Sequence, residues 1–284
     1  MPREPTFDAI DRTDSSPQAG FMKRGAFVFT VVVALAVSRT AVAQLQPHRA
    51  EYVLRLGTAA NAPRIGTAVQ DISLDCSGWH IKRDLSSEIA FTPSLKVSLA
   101  SELDGDEPSD GSAFRYRTVQ TENGSRRVAH GEVQRSGGET RAEIVSSAGP
   151  EQVVLPPPTL MPVAAVSGLV DRLRGRTVAT PTLMFTAEAM GDVFSIDVQE
   201  IEAGSLRARP RALGPVVVPS AQSWPILMTF RHVRDQAKKA LFSIRARLFG
   251  SGVLDRLTID AGVATVTADL QSLEMHKAPA CPGP

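Results

Sequence analysis

The sequence predicts an all-β protein, mainly antiparallel, with one helix and a single domain. Apolar and polar residues alternate in segment after segment, and a period of two is typical of half-buried strands. Residue pairs that accept positive φ, such as Asn123-Gly124 and Gly137-Gly138, separate the alternating runs. The 21 glycines and 20 prolines interrupt the chain too often for long helices.

Alternation predicts the first strands near the start of the folded region. In Arg49–Leu56, every second residue is apolar, so these side chains share one face. In the segment 65–76, Ile72, Leu74 and Cys76 share a face, which predicts that the first thiol points into a half-buried sheet. The same pattern predicts further strands over 79–84, 96–103, 113–120, 126–133, 141–146 and 152–155.

Turn-forming pairs predict where these strands end. Asn123-Gly124 lies between two alternating runs, which predicts a hairpin at Glu122–Ser125. Three other pairs are interpreted as turns on the same ground: Asp104-Gly105, Asp110-Gly111 and Gly137-Gly138.

One helix is predicted after the rigid loop Leu155–Pro162. In Val163–Arg174 apolar residues recur at helical spacing, and Gly175 is expected to follow as the left-handed residue that ends the helix. The pattern indicates a surface helix that plugs or flanks a sheet. Strands then resume over 177–185, 193–202, 224–233, 240–249, 253–260 and 263–273, and 210–219 is a proline-bounded loop or edge segment.

An export signal is predicted at residues 22–43. Lys23 and Arg24 precede the apolar run Gly25–Val37, and Ala41-Val42-Ala43 carries small residues at the −3 and −1 positions of a cleavage site. The run is shorter than the roughly 20 residues that span a bilayer as a helix. We therefore expect cleavage after Ala43, no permanent membrane anchor and a periplasmic product.

The segment before this signal is not expected to contribute to the fold, and the segment after it is expected to fold. Residues 1–21 are polar and lack hydrophobic periodicity, so they are either a misassigned start, with Met22 as the true one, or a disordered extension. Residues 44–284 show no fixed-period repeat and no internal linker, and they are predicted to form one domain.

Charge and motifs exclude several classes of protein. A formal net charge of +1 gives no long-range attraction for nucleic acid. The sequence has no Gly-x-Ser-x-Gly elbow, no His-Glu-x-x-His, no phosphate-binding loop and no cysteines at metal spacing. We therefore expect no enzymatic activity, no cofactor and no metal.

The acidic residues Asp104, Asp106, Glu107 and Asp110 are the candidates for paired-carboxylate chemistry. They cluster in a stretch that contains glycine and proline, so we interpret the stretch as a solvated loop rather than an active site.

Seven residues are singled out as candidates for structural or ligand-facing roles. Trp79 and Trp224 each sit beside a turn residue, which favours anchors of the core or rim over ligand stacking. Phe230, Phe242 and Ile244 alternate along later strands, where they line an apolar pocket or simply fill the core. Cys76 and Cys281 are the only cysteines, and an oxidising compartment favours a bridge between them over two free buried thiols.

The order of several short motifs resembles the EipB-like family of periplasmic cell envelope integrity proteins of Gram-negative bacteria. The similarity begins at His48-Arg49-Ala50 and continues through Asp75-Cys76-Ser77-Gly78-Trp79. It extends through Leu155–Pro162 and Trp224-Pro225 to Pro279-Ala280-Cys281.

This resemblance implies a β-spiral, an open barrel-like half-shell with a flanking helix and a disulfide between its N-terminal and C-terminal parts. It also implies a non-enzymatic role in keeping the envelope intact, through an envelope protein or a lipidic ligand bound on the concave face. Two alternatives stay open: a periplasmic carrier of lipids or lipoproteins, and a periplasmic hydrolase whose site is assembled from distant strands.

We predict that the exported protein begins at Gln44, because the apolar run is followed by the Ala41-x-Ala43 site. Intact-mass measurement of protein recovered from the periplasm checks this. A mature product that retains Phe27–Ala36 would contradict the export assignment.

Overall fold

The structure, a computed structural model, describes residues 45–90, 92, 96–177, 180–233 and 239–281. The extension 1–21 and the export signal 22–43 lie outside these residues, so both remain predictions. The assignment of 44–284 to one domain also remains a prediction.

Fourteen strands and one α-helix form in the described part of the chain, in the order that the alternation predicts. The strands are β1 (His48–Leu56), β2 (Arg64–Leu74), β3 (Gly78–Ala90), β4 (Lys96–Pro108), β5 (Ala113–Glu122), β6 (Ser125–Ser136), β7 (Glu139–Ser146), β8 (Gly149–Leu155), β9 (Thr182–Thr186), β10 (Asp192–Glu200), β11 (Ser223–His232), β12 (Phe242–Phe249), β13 (Leu254–Asp260) and β14 (Thr265–Met275). The helix α1 (Pro162–Gly175) lies between β8 and β9.

All fourteen strands belong to one antiparallel sheet, which confirms the predicted fold class. Consecutive strands pair along two meanders, β1–β8 and β9–β14, and the pairing of β1 with β14 joins the meanders. The strands β8 and β9 are the two edges of the sheet and do not pair with each other. The sheet is therefore open, and α1 connects its two edges.

The edge strand β9 and its neighbour β10 are packed on both faces. Phe185 of β9 belongs to a buried cluster with Phe114 and Tyr116 of β5. Phe194 of β10 belongs to a second buried cluster, which also contains Val170 of the helix. Strands of the first meander therefore lie on one side of the β9 edge, and the helix lies on the other side. A single sheet with this arrangement curls so that its β9 edge lies inside its other strands, which is a spiral.

The turn between β9 and β10 packs against strands of the first meander. Residues 187–189 contact β4 and β5. At Gly191 the backbone has a φ of 83°, and a Cβ there would collide with Ile144 of β7, so glycine serves both the turn and the close approach. The Arg83 guanidinium and the Glu188 carboxylate form an ion pair of 2.7 Å across this contact.

The helix packs as its apolar spacing predicts, with Val163, Leu169 and Leu173 buried. It ends one residue later than predicted: Gly175 is still helical, and Arg176 takes the left-handed conformation with a φ of 54°. The N–H of Thr177 donates to the Arg172 carbonyl oxygen at 2.9 Å, which satisfies an end carbonyl that Gly175 was expected to help cap.

The long connection between β10 and β11 is held on the sheet by arginines. Arg207 pairs with Asp269, whose side chain is fully buried, and Arg209 Nη1 lies 3.0 Å from Asp255 Oδ1. Breaking a buried pair of this kind costs about 3–5 kcal/mol, because one charge is left without its partner. The segment 210–219 contains no strand, which confirms the loop prediction.

The turn predictions hold at three hairpins, at Asp110-Gly111, Asn123-Gly124 and Gly137-Gly138, and fail at one pair. Asn123 and Gly124, with φ values of 49° and 81°, close the predicted hairpin between β5 and β6. Asp104-Gly105 is not a turn and lies inside β4. A Cβ at Gly105 would lie 2.6 Å from Phe114 Cε2, so this glycine makes room for an aromatic ring instead.

Two further boundaries differ from the sequence-based expectation. Cys76 lies in the exposed turn between β2 and β3 and does not point into a half-buried sheet, because β2 ends at Leu74. The strand predicted over 177–185 begins only at Thr182, after the connection from α1.

Cys76 and Cys281 form a disulfide, with their Cα atoms 5.5 Å apart. The bridge joins the β2–β3 turn to the segment that follows β14, so it links the N-terminal and C-terminal parts of the sheet.

We predict that Cys76→Ser and Cys281→Ser lower the free energy of unfolding by similar amounts and that the double variant adds little. The bridge closes a loop with a sequence separation of 205 residues, which corresponds to at most about 5 kcal/mol in the chain-entropy model. Denaturant unfolding of the variants checks this, with the reduced wild-type protein as a control expected to match them. Unfolding midpoints that do not change would show that the bridge has no role in stability.

Candidate binding cavity

An apolar cavity of about 190 Å³ lies between α1 and the face of β9–β12 that packs against it. The wall on the sheet side is built by alternation: Val198, Met228 and Ile244 are register partners on three neighbouring strands. Ala165 and Leu169, one helical turn apart, line the opposite wall. Strand side chains that repeat every two residues thus face helix side chains that repeat every 3.6 residues across the cavity.

The cavity also has a charged side, contributed by Arg83 of β3 and Glu188 of the turn between β9 and β10. Arg83 Nη1 donates to Glu188 Oε1 at 2.7 Å, and Arg83 Nε donates to Gln70 Oε1 at 3.2 Å. Arg83 and Glu188 are the charged pair of this wall, and each is neutralised by the other.

A polar wall is formed by residues at the start of β1 and after β12. His48 and Ser251 are 1% and 3% exposed, and both line the cavity. His48 Nδ1 lies 2.7 Å from the Gln46 carbonyl oxygen, and the Gln46 N–H donates to the Ser251 carbonyl oxygen at 3.0 Å. Burial lowers the pKa of the His48 imidazole, which favours its neutral form.

The structure separates the aromatic and aliphatic candidates into two groups. Phe230 and Ile244 line the cavity. Phe242 stacks on Phe230, with ring centroids 4.4 Å apart, but does not line the cavity. Trp79 and Trp224 are partly buried against two different core clusters, as anchors of the core would be.

His48 and Ser251 were not candidates at the level of the sequence. The only local signal for His48 was its spacing of two residues from Ala50 and of four from Tyr52, which places it on the same face of β1 as these apolar residues. Nothing in the local sequence marks Ser251, because its position depends on how the turn after β12 meets residue 46.

His80 binds two carboxylates on the surface of the protein. Its Nε2 lies 2.8 Å from Asp75 Oδ2 and its Nδ1 lies 2.5 Å from Asp106 Oδ1. The hydrogen bonds to Asp75 and Asp106 raise the pKa of His80. The Ser77 hydroxyl donates to Asp75 Oδ1 and not to the imidazole, so the group lacks the serine–histidine contact of a nucleophilic site. Among the described residues no cluster of histidine, cysteine and carboxylate side chains could hold a metal ion.

Glu107 corrects the interpretation of the acidic stretch as a solvated loop. It lies in β4 and is 2% exposed. Its two carboxylate oxygens accept hydrogen bonds from the Val163 and Ala164 N–H groups, each at 2.7 Å, so it caps α1 from a distant strand. Burial raises the pKa of Glu107 to about 7, against the two N–H groups, which lower it.

Fold and cavity together define the class: an open, β-barrel-like spiral with a helix packed inside it over an apolar cavity. The chain belongs to the EipB-like family, whose profile matches residues 39–277. None of the helices in the described ranges is long and apolar enough to cross a membrane.

The chain is also similar to a solved structure from Brucella abortus, described as a beta-barrel-like protein of a domain of unknown function, DUF1849. The match covers 82% of this chain and 99% of that chain, with a TM-score of 0.70 and 18% identity. At this identity the likeness concerns the fold. No curated protein matches the chain.

We predict that Glu107 makes the stability of the protein fall as pH rises. Because the pKa of Glu107 in the folded protein is about 7, against an ordinary value of 4.5, its contribution is present below about pH 4.5 and lost as pH rises through 7. Between pH 5 and pH 8 the wild type should lose about 2–3 kcal/mol relative to Glu107→Gln, which cannot titrate.

Denaturant unfolding at the two pH values checks this prediction. Glu102→Gln, which changes an exposed carboxylate on the same strand, is the matched control and should follow the wild type. Parallel pH profiles for wild type and Glu107→Gln would contradict it.

Proposed function

We propose that this protein is a non-enzymatic periplasmic protein that supports cell envelope integrity by holding a lipidic ligand in the cavity beneath α1. The observation that carries the proposal is the cavity itself, whose volume is about 190 Å³ and whose wall is mostly apolar. An engineered apolar cavity of about 150 Å³ binds benzene.

The energetic cost of such a cavity supports a role in binding. The pocket is partly open to solvent, so its unfilled apolar wall exposes surface to water at a cost of about 25 cal/mol per Å². An apolar ligand offsets that cost, because it restores the contacts that the lining side chains lack.

The compartment is supported by two independent features. The predicted export signal directs the chain out of the cytoplasm, and the Cys76–Cys281 disulfide is a bond that persists in oxidising compartments. The envelope role is supported by membership of the EipB-like family.

The cavity wall gives little support to the alternative of a dispersed hydrolase. Among its lining residues one histidine, His48, and one carboxylate, Glu188, could act as acid or base. The carboxylate is bound to Arg83 at 2.7 Å, and the pKa of His48 is lowered by burial. Neither group is paired with a side-chain nucleophile, as covalent catalysis uses, and the single carboxylate of the wall provides no carboxylate pair.

We predict that Ile244→Trp, which fills the cavity, abolishes ligand retention and the complementation of a deletion strain challenged with detergent. Overpacking costs about 1–3 kcal/mol, so the protein should still fold. The matched control is Leu227→Trp on β11, which is half-buried on the opposite side of the sheet from Met228 and does not line the cavity. It should retain both properties.

Mass spectrometry of organic extracts from purified periplasmic protein measures retention. If the wild type carries no lipid and Ile244→Trp complements at normal protein level, the lipid proposal fails, and binding of an envelope protein becomes the remaining account of the envelope role.

A further inference from the structure

We propose that Arg247 of β12 and Arg256 of β13 form a binding site for a phosphate group, on the face of the sheet that points away from the cavity. The inference goes beyond the proposed function and does not depend on a ligand in the cavity. Three observations carry it: the β-bulge that places Arg256, the pairing of the neighbouring arginines with aspartates, and the two partly buried guanidiniums that this pairing leaves over.

A β-bulge in β13 brings Arg256 to the same face as Arg247. Arg247 precedes Leu248, which lines the cavity, so the arginine points to the other face together with its register partner Asp255. After this pair, β12 has one residue before the next register pair, whereas β13 has two, and the first of them is Arg256. Strict alternation would place Arg256 on the cavity side. Its Nε instead lies 3.9 Å from Asp255 Oδ2.

The backbone of Arg256 is in a conformation that favours glycine. Its φ is 52°, in the left-handed region, where a side chain crowds the backbone. Glycine is the common residue at a bulge position of this kind. Residues held in such conformations cluster at ligand sites, where the cost is offset by what the side chain binds.

Two neighbouring arginines are already neutralised by the two aspartates of this face. Arg207 pairs with the fully buried Asp269, and Arg209 Nη1 lies 3.0 Å from Asp255 Oδ1. The Leu270 N–H also donates to Asp255 Oδ1, at 3.3 Å. With the two arginines of the proposed site, four guanidiniums share two carboxylates, and two positive charges remain in excess.

The two arginines of the site have free donors. Arg256 donates no hydrogen bond to a described residue, and Arg247 forms neither a hydrogen bond nor an ion pair with one. Of these two guanidiniums only Arg247 Nε is enclosed, so the terminal nitrogens of both can donate to a ligand that arrives from solvent. The Arg256 side chain is only 17% exposed. Its charge has therefore lost much of its hydration without gaining a close partner.

The electrostatics of Arg256 agree with a missing anion. Burial lowers the pKa of its guanidinium, and the positive charges of Arg247, Arg207 and Arg209 lower it as well, against the attraction of Asp255. An anion between the guanidiniums reverses this effect, because a nearby opposite charge favours the protonated form.

A phosphate group matches both the donors and the charge of this site. The planar fork of a guanidinium binds two phosphate oxygens at once. Inorganic phosphate and phosphate monoesters are largely dianions above a pH of about 6. A dianion balances the two positive charges in excess, whereas a single carboxylate balances only one.

The test is a titration of the folded protein with inorganic phosphate at constant ionic strength, followed through the arginine Nε–Hε resonances by NMR. The resonances of Arg247 and Arg256 should move until the site is saturated. Arg247→Gln and Arg256→Gln should each weaken the affinity about tenfold or more, because each removes charge-assisted hydrogen bonds. Arg117→Gln, which removes the same charge from an exposed position of β5, is the matched control and should bind as the wild type.

Arg256→Gly separates binding from folding. Glycine accepts the positive φ of the bulge, and its introduction removes the like-charge repulsion. The variant should therefore unfold at the same denaturant concentration as the wild type or a higher one, and it should lose phosphate binding. A variant that unfolds more easily and still binds phosphate normally would show that Arg256 serves the structure alone, which overturns the inference.

Vesicles identify the source of the phosphate. Co-sedimentation compares vesicles of equal parts phosphatidylcholine and phosphatidic acid with vesicles of phosphatidylcholine alone. Binding to the phosphatidic acid vesicles that is lost in Arg256→Gly assigns a lipid head group, and binding of inorganic phosphate alone assigns a soluble phosphate compound; both support the site. If neither probe binds in a way that depends on Arg247 and Arg256, the inference is overturned, while the proposed function, which rests on the cavity, stands.

Discussion

The contact on which the rest of the structure depends joins Phe185 of β9 to Phe114 and Tyr116 of β5. The ring centroids lie 6.2 and 5.4 Å apart, distances at which aromatic pairs contribute about 0.5–1.5 kcal/mol beyond the area they bury. Because Phe185 lies on the edge strand of the second meander, this contact draws that edge inside the first. The sheet then cannot close by pairing β8 with β9, and it remains a spiral.

The cavity follows from this arrangement. Phe185 occupies one face of β9, while Met184 on the other face turns toward the helix. The helix connects β8, the outer edge of the sheet, to β9, the inner edge. It therefore lies over β9–β12. Arg83 and Glu188 then meet at the side where the inner hairpin reaches β3. The strand β9 thus contributes both to the packed core and to the wall of the cavity, which Met184 and Phe185 both line.

The N-terminus of the helix is held by a buried carboxylate. Glu107 binds the first N–H groups of α1 from β4, where no side chain of the helix itself provides a cap. Two charge-assisted hydrogen bonds favour the ionised form, but the loss of hydration on burial outweighs them and raises the pKa of Glu107 to about 7. The stability of the helix over the cavity is therefore linked to pH in the neutral range.

The local pattern determined the strands, the helix and the main hairpin of this protein, because side-chain alternation and the φ preferences of Asn123 and Gly124 act over a few residues. Resemblance in the order of short motifs added the spiral, whereas the long-range pairing of Cys76 with Cys281 was predicted from the cysteine count and the export signal. These predictions needed no knowledge of which strands meet inside the sheet.

Tertiary structure alone decided the role of Glu107 and the contents of the cavity. In sequence Glu107 stands among glycine, proline and other acids, as a loop residue would, and its partner Val163 is 56 residues away. Whether Phe230 and Ile244 fill a core or line a space depends on the distance between the helix and the sheet. That distance is set by long-range packing, which no local window of the sequence contains.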